Sequence, residues 1–226
     1  MTKFEYVCFV SYRNSQQNDG RLNTFAKKLA DEIALSFEAF LPESNVRDAN
    51  GHCIFLDQHI FSNYDFDPVE LGQGLCKSIC WLVLFSRNYL SGSLWCASEL
   101  DGMLRLEEKR LQNLGLDRNP DLGFVVPVLL AGDRENLPPS LANRKHHLVD
   151  LKKFFLRPSF ATDNDFADLL TDMLDKIGRV QEVVLSKKLD ICSDCGTFRL
   201  LDVGQIDGKM EIENFVKSLV PPQPTT

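Results

Sequence analysis

Trp95 and Glu99 lie four residues apart in the segment Ser91-Gly-Ser-Leu-Trp95-Cys96-Ala-Ser-Glu99-Leu100-Asp101. On an α-helix that spacing projects both side chains from one face, an aromatic ring one turn before a carboxylate. Such a pair suits a planar base and a ribose. The ring offers a stacking surface worth about 1 kcal/mol beyond its area burial. The carboxylate can hold sugar hydroxyls and stabilise the positive charge of an oxocarbenium-like state, as when a leaving group departs from an anomeric carbon. Both residues also have ordinary uses: a helical glutamate commonly faces water, and tryptophan is mostly buried wherever it occurs. The elements that carry the pair therefore decide what it can do.

Directly before the pair stands Ile79-Cys-Trp-Leu-Val-Leu-Phe85, too short to span a membrane and bounded by Ser78 and Ser86. It reads as a strand buried on both faces, as in a parallel sheet. Ser91 or Ser93 can cap the helix that follows, whose apolar positions Leu100, Met103 or Leu104, Leu111 and Leu114 recur at helical spacing up to Gly115. The pair thus falls just beyond a strand's carboxyl end, where ligands bind in open α/β sheets.

Two further segments point to the same edge. Residues 5–11 read as a first strand ending on Ser11, Tyr12 and Arg13, and Arg13 can pair with a pyrophosphate or simply be solvated. Residues 52–57 form a second strand after the Asn50-Gly51 turn, placing Asp57 at its end to contact substrate or to order the next loop. That loop, residues 58–68, is rich in aromatic and acidic side chains.

The remaining pattern is a helix over 22–40, a helix over 69–77, a fourth strand over 124–130, a weak fifth over 148–151, and an amphipathic helix over 166–184 capped by Asp163 or Asn164. Strands alternating with helices imply βαβ units and a parallel sheet, hence the α/β class. Residues 1–184 form the main domain, 185–220 an appendage that packs on it or makes an oligomer contact, and 221–226 a disordered tail.

Composition narrows the partners. A chain of 226 residues with 44% hydrophobic and 25% charged residues can bury a sizeable core. Its formal net charge of -7 and the lack of any Lys/Arg block beyond isolated pairs argue against nucleic acid or an anionic membrane as partner. The amino terminus runs into a strand with no apolar leader, so a cytoplasmic location with reduced thiols is expected for the seven cysteines.

Several chemistries are disfavoured. No Gly-x-Gly-x-x-Gly follows the first strand, and Gly72-Gln-Gly74 falls inside a helix pattern, which argues against a dehydrogenase. No Gly-x-Ser-x-Gly elbow or Walker sequence is present. Asp57 loosely resembles a response-regulator phosphoacceptor, but Ser11-Tyr12 replaces the acidic pair needed after the first strand. Cys192-Ser-Asp-Cys195 has metal-knuckle spacing without a second ligand pair and reads as a tight turn in the appendage rather than a zinc or redox site, and His146-His147 stands alone, so no metal site is expected.

The order Phe9-Val10-Ser11-Tyr12, then Ile54-Phe55-Leu56-Asp57, then Ser-x-x-Tyr-Leu-x-Ser-x-Trp-Cys-x-x-Glu-Leu from Ser86 to Leu100 resembles Toll/interleukin-1 receptor (TIR) domains over roughly residues 4 to 180. The resemblance implies a flavodoxin-like sheet of order 2-1-3-4-5. It also implies that Glu99 matches the glutamate with which enzymatic members cleave NAD+ at the nicotinamide–ribose bond. On that footing Glu99 is the catalytic residue, Ser11, Tyr12, Arg13, Asp57 and Trp95 bind substrate, and NAD+ is a substrate rather than a cofactor. Similarity to stand-alone prokaryotic members adds homotypic self-association and an ADP-ribose-derived immune signal in anti-phage defence. The competing implication is a non-catalytic TIR scaffold, or a pathogen protein that docks on other TIR domains through the 58–68 loop.

Overall fold

Apolar runs and amphipathic stretches alternate along the chain and, among the described residues, fold as eleven strands and α-helices. They are β1 (Tyr6–Tyr12), α1 (Arg21–Phe40), β2 (Ile54–Leu56), α2 (Pro68–Lys77), β3 (Ser78–Phe85), α3 (Leu94–Leu114), β4 (Val125–Leu129), α4 (Pro139–Ala142), β5 (Val149–Asp150), α5 (Lys152–Phe155) and α6 (Asn164–Ser186). The computed structural model describes residues 4–13, 20–40, 46–56, 68–86, 89–90, 94–116, 122–142, 148–155, 157, 159–187, 195, 198 and 200.

The five strands form one parallel sheet of order β2-β1-β3-β4-β5. This is the flavodoxin-like order, with α1 and α6 packed together and α2 and α3 packed together. β3 lies at the centre and is buried from Ser78 to Phe85, which accounts for its unbroken apolar run.

Alternation along β1 assigns the faces. Phe9 and Ser11, with their register partners Trp81 and Val83, face α2 and α3. Trp81 donates its indole N–H to the Leu75 carbonyl of α2 at 2.9 Å, and the ring lies under the Arg110 guanidinium of α3. On the α1 side, Phe25 of α1 packs against Phe155 and Phe160, and Phe160 against Phe166 of α6. Asp163 caps α6, its side chain accepting from the Asp165 amide at 3.0 Å.

The second strand starts later than the sequence pattern predicts. The Asp48 carboxylate accepts the Asn50 and His52 amides, and the Asp48 amide bonds back to the His52 carbonyl. That turn holds His52 out of the ladder, which begins only at Ile54. Asp57, the 58–67 loop, Ser91, Ser93, His146, His147 and Cys192 lie outside the described residues.

The glycines in the helix patterns serve close packing. A Cβ on Gly74 would collide with the Phe55 ring of β2. One on Gly102 of α3 would come within 2.8 Å of Leu200, and one on Gly72 of α2 within 3.1 Å of the Phe198 carbonyl. Phe198 and Leu200, beyond α6 in sequence, therefore lie over α2 and α3.

This return corrects the expectation of reduced thiols. Cys76 of α2 and Cys195 form a disulfide across 119 positions. Their spacing in sequence carries no hint of the pairing, because the contact exists only once the carboxyl-terminal segment has doubled back. Cys8, Cys53, Cys80 and Cys96 are buried and remain thiols.

A candidate ligand site at the carboxyl edge of β1 and β3

The strand order has one reversal. From β1 the chain moves outward to β2, then returns to the other side of β1 as β3. The crevice beyond the carboxyl ends of β1 and β3 is the topological switch point, the place where doubly wound sheets hold their ligands. Three side chains meet there.

Ser11 is the penultimate residue of β1 and is 1% exposed. Tyr89 follows β3 in the turn before α3 and is also 1% exposed. Glu99 lies in the second turn of α3 and is 7% exposed. The Ser11 hydroxyl donates to Oε2 of Glu99 in a short hydrogen bond. Its oxygen stands 2.6 Å from the Tyr89 hydroxyl oxygen. Serine has a single hydroxyl proton, and that proton goes to the carboxylate. Tyr89 is therefore the donor to Ser11, and the relay runs Tyr89 to Ser11 to Glu99.

Burial pushes the Tyr89 phenol well above its ordinary value, Cys96 and Glu99 add to the effect, and the Ser11 hydrogen bond opposes it. Tyr89 accordingly stays a neutral donor at physiological pH.

The other candidates are distributed around this relay. Trp95 stands one turn before Glu99, half-buried and packed against the core. Tyr12 follows Ser11 on β1, so its ring points to the opposite face of the sheet, where it is buried. Arg13 is the first residue beyond β1 and is partly exposed. The structure thus brings Ser11 and Glu99 into contact and keeps Trp95 on the same helix. It sends Tyr12 into the core on the other side.

Tyr89 was not singled out from the sequence, although it occupies the tyrosine of the Ser-x-x-Tyr-Leu string. Its hydroxyl finds Ser11 only through tertiary structure, 78 positions away. Among the described residues no group of three or more His, Cys, Asp and Glu is placed to hold a metal ion. No helix among them is long and apolar enough to cross a membrane.

Fold and relay together define a flavodoxin-like α/β protein with a buried carboxylate at its switch point. No protein-family model and no curated protein matches the sequence. Among solved structures the chain is similar to the TIR domains in the structure of the activated Roq1 resistosome directly recognizing the pathogen effector XopQ. The identity is 22%, over 80% of this chain and 96% of that one, with a TM-score of 0.36. The description of the fold rests on the strand order of this chain.

Proposed function

We propose that this chain is an NAD+ glycohydrolase or ADP-ribosyl cyclase in which Glu99 is the catalytic carboxylate. The observation that supports this most is the position of Glu99: an acid held in register by Ser11 at the β1–β3 switch point, one turn after Trp95. The motif resemblance from Ser86 to Leu100 supplies the substrate.

In the proposed reaction the bond between ribose C1′ and the nicotinamide nitrogen breaks. Its electron pair neutralises the pyridinium, and positive charge passes to C1′ and the ring oxygen. The Glu99 carboxylate stabilises that charge and holds the ribose hydroxyls. No general acid is needed, since nicotinamide leaves as a neutral molecule. Water adding to C1′ and losing a proton gives ADP-ribose; attack by an adenine nitrogen instead gives a cyclic product. Trp95 is the stacking surface for a base, and Arg13 and Asp57 are the polar groups proposed for the rest of the dinucleotide. Self-association through the 58–68 loop, a signalling role in antiviral defence and a cytoplasmic location belong to the same proposal.

Nicotinamide release from NAD+ by the purified chain tests the reading. Trp95→Ala is expected to raise the apparent KM about fivefold, the equivalent of a lost stacking energy of about 1 kcal/mol. It should also shift any cyclic product towards linear ADP-ribose, as resolved by chromatography with mass analysis. An unchanged KM and product ratio would make Trp95 a packing residue.

A second reading, a non-catalytic TIR scaffold, is favoured by one observation. Glu99 is only 7% exposed and already bonded to Ser11, which is also what a structural tie between α3 and β1 would look like. Two measurements separate the readings. A scaffold would release no nicotinamide at any protein concentration and would lose stability in Glu99→Gln.

A further inference from the structure

Beyond α6 the chain doubles back and fastens itself to the helices that carry the site. Cys195, 6% exposed, is bonded to the fully buried Cys76 of α2. Phe198 packs against Gly72 of α2 and Gly102 of α3, and the Arg105 guanidinium of α3 stands 5.4 Å from its ring centre. Leu200, 3% exposed, lies against Gly102. Gly102 is one helical turn beyond Glu99, and Arg105 is one turn further. Among the described residues, Cys195, Phe198 and Leu200 thus form a strap that grips α2 and α3 beside the candidate catalytic carboxylate, through one covalent bond and two apolar anchors.

The distribution of sulfur singles out that bond. Cys8 and Cys80 occupy directly paired positions of β1 and β3, and with Cys53 and Cys96 they remain thiols inside the core. The disulfide joins no two strands of the sheet. It ties a segment added after the last helix to the domain.

We propose that Cys76–Cys195 is a thiol–disulfide control site, at which a dithiol reductant unfastens the strap and loosens α3 around Glu99. The thiolate of the reductant attacks Sγ of Cys195, the less buried residue of the pair, and the Cys76 thiolate leaves. The second thiol of the reductant then displaces Cys195, closing the reductant's own disulfide. Two electrons pass to the protein, and the two protons of the dithiol end on Cys76 and Cys195. Because both cysteines are buried, attack requires local opening, and in this proposal Phe198 and Leu200, the apolar anchors of the same segment, set how fast that opening occurs. Once the bond is open, the return of the strap is no longer covalently enforced, and α3 loses the contacts at Gly102 and Arg105.

The test uses the full chain in oxidised form, in dithiothreitol, and as Cys195→Ser. Alkylation and mass analysis first establish the thiol state. Hydrogen exchange is then followed in α3, and thermal unfolding for the whole chain. Reduction and Cys195→Ser are each expected to lower Tm by about 5–15 °C. Each is also expected to speed exchange of the α3 amides around residues 99–105 by about tenfold or more, with the β3 amides little changed. Phe198→Ala, which keeps the disulfide, is expected to react with dithiothreitol several times faster than the wild type. Unchanged α3 exchange after verified reduction would overturn the proposal, as would a Cys195 that is alkylated without reductant or pairs between two chains on non-reducing gels. None of these readouts depends on NAD+ cleavage, so their failure leaves the catalytic reading to its own test. The one coupled expectation, that oxidised and reduced protein differ in nicotinamide release, rests on that reading.

Discussion

Helix α3 carries two buried glutamates, and they are buried for different reasons. Glu107, 3% exposed, lies toward its carboxyl end, where Oε1 accepts the backbone amides of Phe124 and Val125 at 2.6 and 2.9 Å. Arg110, one turn on, donates to the carbonyls of Cys76, Ser78 and Ile79 and lies 4.4 Å from the centre of the Trp81 ring. These two side chains bind the entry of β3 and β4 to α3 through main-chain groups. Glu99, eight residues earlier and 7% exposed, is instead reached by a side-chain hydroxyl from β1, backed by a phenol from the β3–α3 turn. Backbone amides are fixed partners that no ligand displaces, whereas a serine hydroxyl can rotate to share its bond with a sugar hydroxyl. Burial of a carboxylate therefore does not by itself mark a site. The kind of partner and the edge of the sheet do.

The largest expected effect comes at the structural end. Glu107→Ala strands two buried amides and should cost about 3–5 kcal/mol of stability, enough to leave little folded protein at 37 °C. Chemical denaturation measures it, and a loss under 1 kcal/mol would erase the contrast with Glu99. At the carboxyl edge, Ser11→Ala removes the donor to Glu99 and the acceptor of Tyr89. The expected outcome is a roughly tenfold drop in kcat/KM for NAD+ with less than about 2 kcal/mol of stability lost. A variant that loses stability and keeps its activity would move Ser11 to the structural class.

A smaller effect separates the two edges by pH. Tyr6, at the entry end of β1, is pushed up to about 12 by burial, with Asp48 and Glu5 adding repulsion. Tyr89 at the exit end is raised as well. A phenol whose folded pKa lies above its unfolded value stabilises the fold fully below the unfolded value, about 10, and that contribution fades as pH rises through the folded value. Stability is thus expected to decline above about pH 10, with the Tyr6 contribution lost by about pH 12. Denaturation curves from pH 8 to 12 should show a smaller decline for Tyr89→Phe. An identical pH slope would mean that the phenol is not as enclosed as the relay requires.

Much of this organisation was legible in the sequence. The run from Ile79 to Phe85 gave the central strand because a strand covered on both faces has no polar side to display. The cap Asp163 and the spacing of Leu100 and Met103 likewise reflect local rules, and local rules survive folding. Glu99 and Ser11 could be placed at one edge because strand ends define that edge. What stayed hidden depends on contacts between distant positions. The Tyr89 relay, the Cys76–Cys195 bond and the Glu107–backbone ties join residues 17 to 119 positions apart, and no periodicity encodes such pairings. The Gly72 and Gly102 clearances belong to the same group. Phe198 and Leu200, packed over α2 and α3, supply the reason for them.

Glu99 is the residue on which NAD+ cleavage depends in this proposal, and one side-by-side assay tests its role most directly. Purified wild type and Glu99→Gln are incubated with NAD+ over a range of protein concentrations, and nicotinamide is followed by proton NMR, with circular dichroism confirming that both are folded. The substitution keeps shape and removes charge, so the account predicts wild-type cleavage and a loss of about a hundredfold or more in the variant. Equal nicotinamide release from a folded Glu99→Gln protein would contradict it.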